Sequence, residues 1–170
     1  MMKRTILLAL AFVCLVGYAQ SLSVYISDGN GEFTNVRSGP KGKVVDKIPT
    51  SKIVMLEVVS PQDGWWQIDG GEVYCTGDDD ETITLKGSTT GYWIHHSVIG
   101  LDTRNYGGQT LRLRKSPDAK SAVVFSFKEE MHVMPLEVRG DWVKVKTGDG
   151  KHIGWIEAEW LCDNPLTNCC

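Results

Sequence analysis

A chain of 170 residues, 42% apolar and 23% charged, has room for one domain or two. Its 18 basic and 21 acidic side chains leave a formal charge of −3, without the basic field that marks a nucleic-acid binder. The long apolar run from Ile6 to Val16 is too short to span a bilayer as a helix.

That run belongs to the N-terminus. It follows the basic start Met1-Met2-Lys3-Arg4 and precedes Gly17-Tyr18-Ala19, small residues two apart. This is the pattern of a secretory signal cut after Ala19. Cys14 lies behind Phe12-Val13, where a lipid-modified cysteine would want small residues, so 1–19 reads as a plain signal peptide. The mature chain would be periplasmic or extracellular, with a net charge of about −5. It would then have no membrane insertion and no attraction to anionic lipid.

The remainder repeats itself. Asn35-Val36-Arg37-Ser38-Gly39-Pro40 returns 77 residues later as Arg112-Leu113-Arg114-Lys115-Ser116-Pro117. Val54-Met55-Leu56-Glu57-Val58-Val59 returns as Val133-Met134-Pro135-Leu136-Glu137-Val138, and Trp65-Trp66-Gln67-Ile68 as Trp142-Val143-Lys144-Val145, again at an offset of 77. Trp93-Ile94 closes the first copy and Gly154-Trp155-Ile156 the second. Ordered matches of this kind mark a tandem repeat, here 20–100 and 101–163 with a tail at 164–170. The link, about Gly100 to Thr103, is short enough to keep the two copies in contact. Between Ile68 and Trp93 the first copy carries 15 residues more than the second. That insert, about 70–88, alternates on both sides of the acidic turn 77–81 and predicts an extended hairpin.

The segments are short, rich in β-branched and aromatic residues, and separated by glycine turns, as in an all-β fold. Trp142 to Lys146 alternates, Thr147-Gly148-Asp149-Gly150 turns, and Ile153 to Ile156 returns, which is a hairpin signature. Leu111-Arg112-Leu113-Arg114 alternates in the same way. If Val143 and Val145 face the core, Trp142 faces out; by the same logic Trp66 and Ile68 point in and Trp65 out. Trp93 and Trp155 are expected to be largely buried. Large aromatics held on an outer face need a cover and are candidate contacts, with ligand or between domains.

After signal removal four cysteines remain, Cys75, Cys162, Cys169 and Cys170, an even number for an oxidising compartment. Adjacent Cys169 and Cys170 would make a strained ring, so each is better paired with Cys75 or Cys162. Free thiols are the alternative. No cofactor or metal is expected. His95 and His96, side by side on a strand, should project to opposite faces, and the acidic turn lacks the spaced ligands of a calcium loop.

Asn35-Val36-Arg37-Ser38-Gly39-Pro40, Gly64-Trp65-Trp66-Gln67-Ile68 and Gly91-Tyr92-Trp93-Ile94 together resemble the bacterial SH3 domain family. The second copy is similar, with a weaker opening and the ending Gly154-Trp155-Ile156. The resemblance implies two tandem small SH3-like barrels, the first with an inserted hairpin, and binding without catalysis. The implied partner is a peptidoglycan peptide or another envelope protein, bound by a monomer. In the wider family a second groove aromatic follows the last strand. Gly154-Trp155-Ile156-Glu157-Ala158-Glu159-Trp160 puts Trp160 there, beside Trp142, with Tyr106 of the Arg104–Gly108 loop as a possible third wall. The first copy keeps Trp65 but has Val98 in the second place. Another class of reading makes the inserted hairpin the working edge of an envelope enzyme inhibitor or immunity-type protein. A cysteine-dependent hydrolase using Cys75 is the most remote reading.

Overall fold

The structure, a computed structural model, describes residues 20–76 and 80–167. The expected signal peptide, the acidic turn at 77–79 and the tail cysteines Cys169 and Cys170 lie outside the described residues. The fold is all β. In chain order the first half contributes β1 (Leu22–Ile26), β2 (Phe33–Arg37), β3 (Val44–Pro49), β4 (Ile53–Gln62), β5 (Trp65–Ile68), β6 (Glu72–Thr76), β7 (Glu81–Thr84) and β8 (Tyr92–His95). A 3-10 turn at His96–Val98 leads into β9 (Ile99–Thr103). The second half follows with β10 (Leu111–Arg114), β11 (Val123–Phe127), β12 (His132–Arg139), β13 (Trp142–Thr147) and β14 (Ile153–Glu157), then a 3-10 turn at Ala158–Trp160 and β15 (Leu161–Cys162). All the pairings are antiparallel and run β11-β10-β14-β13-β12-β9-β1-β4-β5-β8-β2-β3.

Two pairings have the same form in the two halves. Arg37 of β2 lies opposite Trp93 of β8 beside a bulge at Val36/Arg37. Arg114 of β10 lies opposite Trp155 of β14 beside a bulge at Leu113/Arg114. The same tryptophans pair on their other side with Gln67 and Lys144. Alternation assigns the faces as expected: Trp66, Ile68, Val143 and Val145 are all at most 2% exposed. Trp155 is buried, whereas Trp93 stays partly exposed.

The insert is a strand pair, as its alternation predicts. In the second half β13 alone runs along β12 from Arg139 back to Val133. In the first half β5 stops at Ile68, and β6 takes over along the start of β4, Ile53 opposite Thr76. Val73, Cys75 and Leu85 of this region enter the core, so the hairpin is rooted rather than appended. That burial corrects one expectation: Cys75 is a free thiol facing the core at 3% exposure, not a disulfide partner. Cys162 is also buried, its Sγ 3.3 Å from the Asn164 carbonyl oxygen.

The expected link at Gly100 to Thr103 is itself β9. Ile99 and Gly100 pair with β1, Leu101 and Asp102 with β12, and Asp102 and Thr103 with β15. One strand therefore serves both halves, and one core cluster runs from Val24 to Ile156. Trp66, fully buried in the first half, donates its indole Nε1–H to the Pro135 carbonyl of β12 at 3.0 Å. Beside it, Tyr25 Oη meets His132 Nδ1 at 2.9 Å, with Asp102 3.7 Å from the same nitrogen. A β-carbon on Gly100 would run into that imidazole ring.

This junction makes stability depend on pH. Hydrogen bonding from His132, foremost, and from Tyr25 holds the Asp102 carboxyl below its usual range, against the opposing effect of burial. A depressed carboxylate contributes stability that is present above its unfolded value, near pH 4, and lost as pH falls through the folded one. Melting temperature should therefore drop as pH falls below about 4, and less steeply in Asp102→Asn. An unchanged slope in that variant would remove Asp102 from the account.

Candidate functional site

On β10, Leu111 and Leu113 are buried, so alternation turns Arg112 and Arg114 to the other face. On β13, Val143 and Val145 point in and Trp142 points out, paired across the sheet with Glu157. The 3-10 turn after β14 then brings Trp160 alongside, its Nε1–H donating to Glu157 Oε2 at 3.2 Å. These residues, with Gln109, Thr110, Leu111 and Ile156, line a concavity of about 360 Å³. A second one of about 390 Å³ adjoins it through Trp142 and Glu157 and is otherwise lined by Asp141, Ala158 and Glu159. Both Arg114 and Arg112 keep guanidinium capacity after one bond each: Arg114 Nη1 donates to the Ser121 carbonyl at 2.9 Å and Arg112 Nη1 to that of Thr110 at 3.3 Å.

Trp142 and Trp160 are thus brought together and Tyr106 is not. Asn105 ties the base of the Tyr106 loop down, its Nδ2 donating to the Gln109 and Lys128 carbonyls at 2.7 Å each. Gln109 and Thr110 border the concavity, while Tyr106, 54% exposed, lies outside it with the Arg104 guanidinium 5.7 Å from its ring. In the first half Trp65 is partly exposed and has two neighbours at its ring. Arg37 sits 5.7 Å from its ring and His95 meets it edge-on at 5.0 Å.

His95 and His96 do not diverge as adjacent strand residues would. The 3-10 turn starts at His96 and brings the two rings to 4.4 Å. His96 Nδ1 is buried without a hydrogen-bond partner, and burial foremost, then His95 and Lys146, lowers its pKa. The Cys75 thiol is shifted the other way, upward, by burial and then by Glu81. A buried thiol held protonated is a poor nucleophile. The groups that sequence reasoning missed are Arg112, Arg114 and the acids around Trp142. The alternation that placed the tryptophans also placed them, but their charge was not read.

Residues 109–161 match the bacterial SH3 domain family. All the residues lining both concavities fall inside this SH3 segment. No curated protein matches the chain. Among solved structures it is similar to NlpC1 and NlpC2 from Trichomonas vaginalis, at 10% and 11% identity and a TM-score of 0.31 in each case. Those alignments cover 85% of this chain but 46% and 48% of the other two, so the chain spans about half their length.

Proposed function

We propose that the protein is a secreted, non-catalytic binding protein of the bacterial envelope, built from two SH3-like copies with the second carrying the ligand site. The ligand is a cell-wall peptide or a peptide segment of another envelope protein. The observation that carries this reading is the pair Trp142 and Trp160 on one concavity within the SH3 segment. Partly exposed indoles beside a polar rim are the usual anchors of shallow peptide sites. Trp65, flanked by Arg37 and His95 and with Val98 where the second copy has Trp160, gives the first copy a supporting role.

Co-sedimentation of the mature protein with purified cell-wall sacculi tests this. Trp142→Ala and Trp160→Ala should each weaken binding at least about tenfold, with the fold intact by circular dichroism. Normal binding by both variants would sink the groove reading. The inserted hairpin would then be the better candidate, since Tyr74 is 47% exposed on it beside a concavity of about 390 Å³.

Secretion carries a second test. We expect Cys162 to pair with a tail cysteine, an arrangement that typically contributes on the order of 2–4 kcal/mol. Alkylation of the denatured mature protein without reductant, read by intact mass, should then label fewer than its four thiols, Cys75 among those labelled. Four labelled cysteines would end the idea.

A further inference from the structure

The two concavities on either side of Trp142 have opposite electrical character. One is bordered by Arg112 and Arg114, with Glu157 as its acid, already engaged by the Trp160 indole. The other is bordered by Asp141, Glu157 and Glu159 with no basic residue in its lining. The nearby Arg104 is turned to the Glu159 main-chain carbonyl and lies outside that lining. The β13–β14 register causes this division, because it sets Trp142 against Glu157 with Asp141 just before the one and Glu159 just after the other. A ligand lying across the Trp142 indole therefore meets guanidinium groups at one end and carboxylates at the other.

We propose that the site takes a short peptide segment carrying both a carboxylate and an ammonium. The carboxylate is held by Arg112 and Arg114, the ammonium by Asp141, Glu157 and Glu159, and the chain between them rests on Trp142. Arginine pairs carboxylates through its planar fork, whereas an ammonium is a compact charge that several oxygens can surround. Opposed charges at the two ends also fix the direction in which the peptide lies, since the reversed peptide would place like charges together. The inference rests on the reading of this face as the ligand site and adds the chemistry of the ligand.

The test uses the full mature chain and tri-alanine with free termini, its N-acetyl form, its C-terminal amide and the doubly capped form. Binding is read from the shifts of the Trp142 and Trp160 indole N–H signals. Each single cap should weaken binding about threefold to fivefold, and the doubly capped peptide should bind least. Combining Arg112→Gln with Arg114→Gln should abolish sensitivity to the amide cap only. Asp141→Asn with Glu159→Gln should reduce sensitivity to the acetyl cap only, Glu157 being left in place, a pattern that general loss of fold does not produce. If a variant fails to fold, salt serves instead: added salt should weaken the free peptide and leave the doubly capped one nearly unaffected. Equal binding of all four peptides, or no indole response to any, overturns the proposal. With sacculi binding still dependent on Trp142 and Trp160, such a result removes this inference alone. Discrimination among the caps without sacculus binding would overturn the cell-wall reading and keep the ligand chemistry.

Discussion

Replacing Trp66 with alanine is expected to lower the melting temperature by on the order of 6–20 °C in one transition. Trp66 is the largest fully buried side chain, and removing a buried aromatic of this size costs about 3–5 kcal/mol. For a chain of this length each kcal/mol is worth about 2–4 °C. Its loss also strips the Pro135 carbonyl of the Nε1–H donor that reaches it from the other half. Trp66→Phe keeps a buried ring but removes the pyrrole part together with its donor. Its cost should fall below that of alanine while still including about 1–3 kcal/mol for the carbonyl left without its partner. Two resolved transitions, only one of them moved, would mean that the halves melt independently and that this bond does not join them.

Trp155→Ala should cost about as much, roughly 3–5 kcal/mol. The ring is 4% exposed, with the Arg139 guanidinium 5.3 Å and the Lys144 ammonium 5.9 Å from its centroid. Next to it Gly154 has no room for a side chain: a β-carbon would come 2.7 Å from Leu113 Cβ and 2.8 Å from Val124 Cγ2. Trp93, the counterpart in the first half, is only partly buried, and Trp93→Ala should therefore cost clearly less. Thermal melts of the two variants side by side decide the matter. A Trp155→Ala protein that melts within a few degrees of the parent would mean that the β13–β14 register is wrong.

Both registers were readable in advance because each rests on period-two alternation around a tryptophan anchor. Val143 and Val145 could face the core only if Trp142 did not, and the pairing of Trp142 with Glu157 follows from the short turn that joins their strands. The placement of Trp160 beside Trp142 followed from similarity to a known pattern, and the 3-10 turn that delivers it left no periodic trace. Contacts between distant segments were hidden for a different reason. Nothing local in Trp66 distinguishes an indole that stays in its own half from one that bonds Pro135 across 69 positions of chain. Likewise the residues Gly100 to Thr103 have the short, glycine-led look of a connector, and only their three partners reveal a strand. His95 and His96 misled because a strand was assumed to continue one residue too far. The charged rim of the groove was visible in Leu111-Arg112-Leu113-Arg114 all along, since the alternation that buries two leucines must display two arginines.

The strand common to both halves bears on how the protein can be taken apart. Cleavage after Gly100 would leave two residues of β9 on one fragment and three on the other, too few to satisfy β1 on one side or β12 and β15 on the other. Each piece would expose a row of unpaired backbone donors and acceptors, the kind of edge that recruits another chain. Expressing either repeat alone at the boundary the sequence suggests should thus give aggregates, whereas fragments overlapping through Thr103 would each keep a whole strand. The boundary suggested by the sequence does not mark where the molecule can be cut.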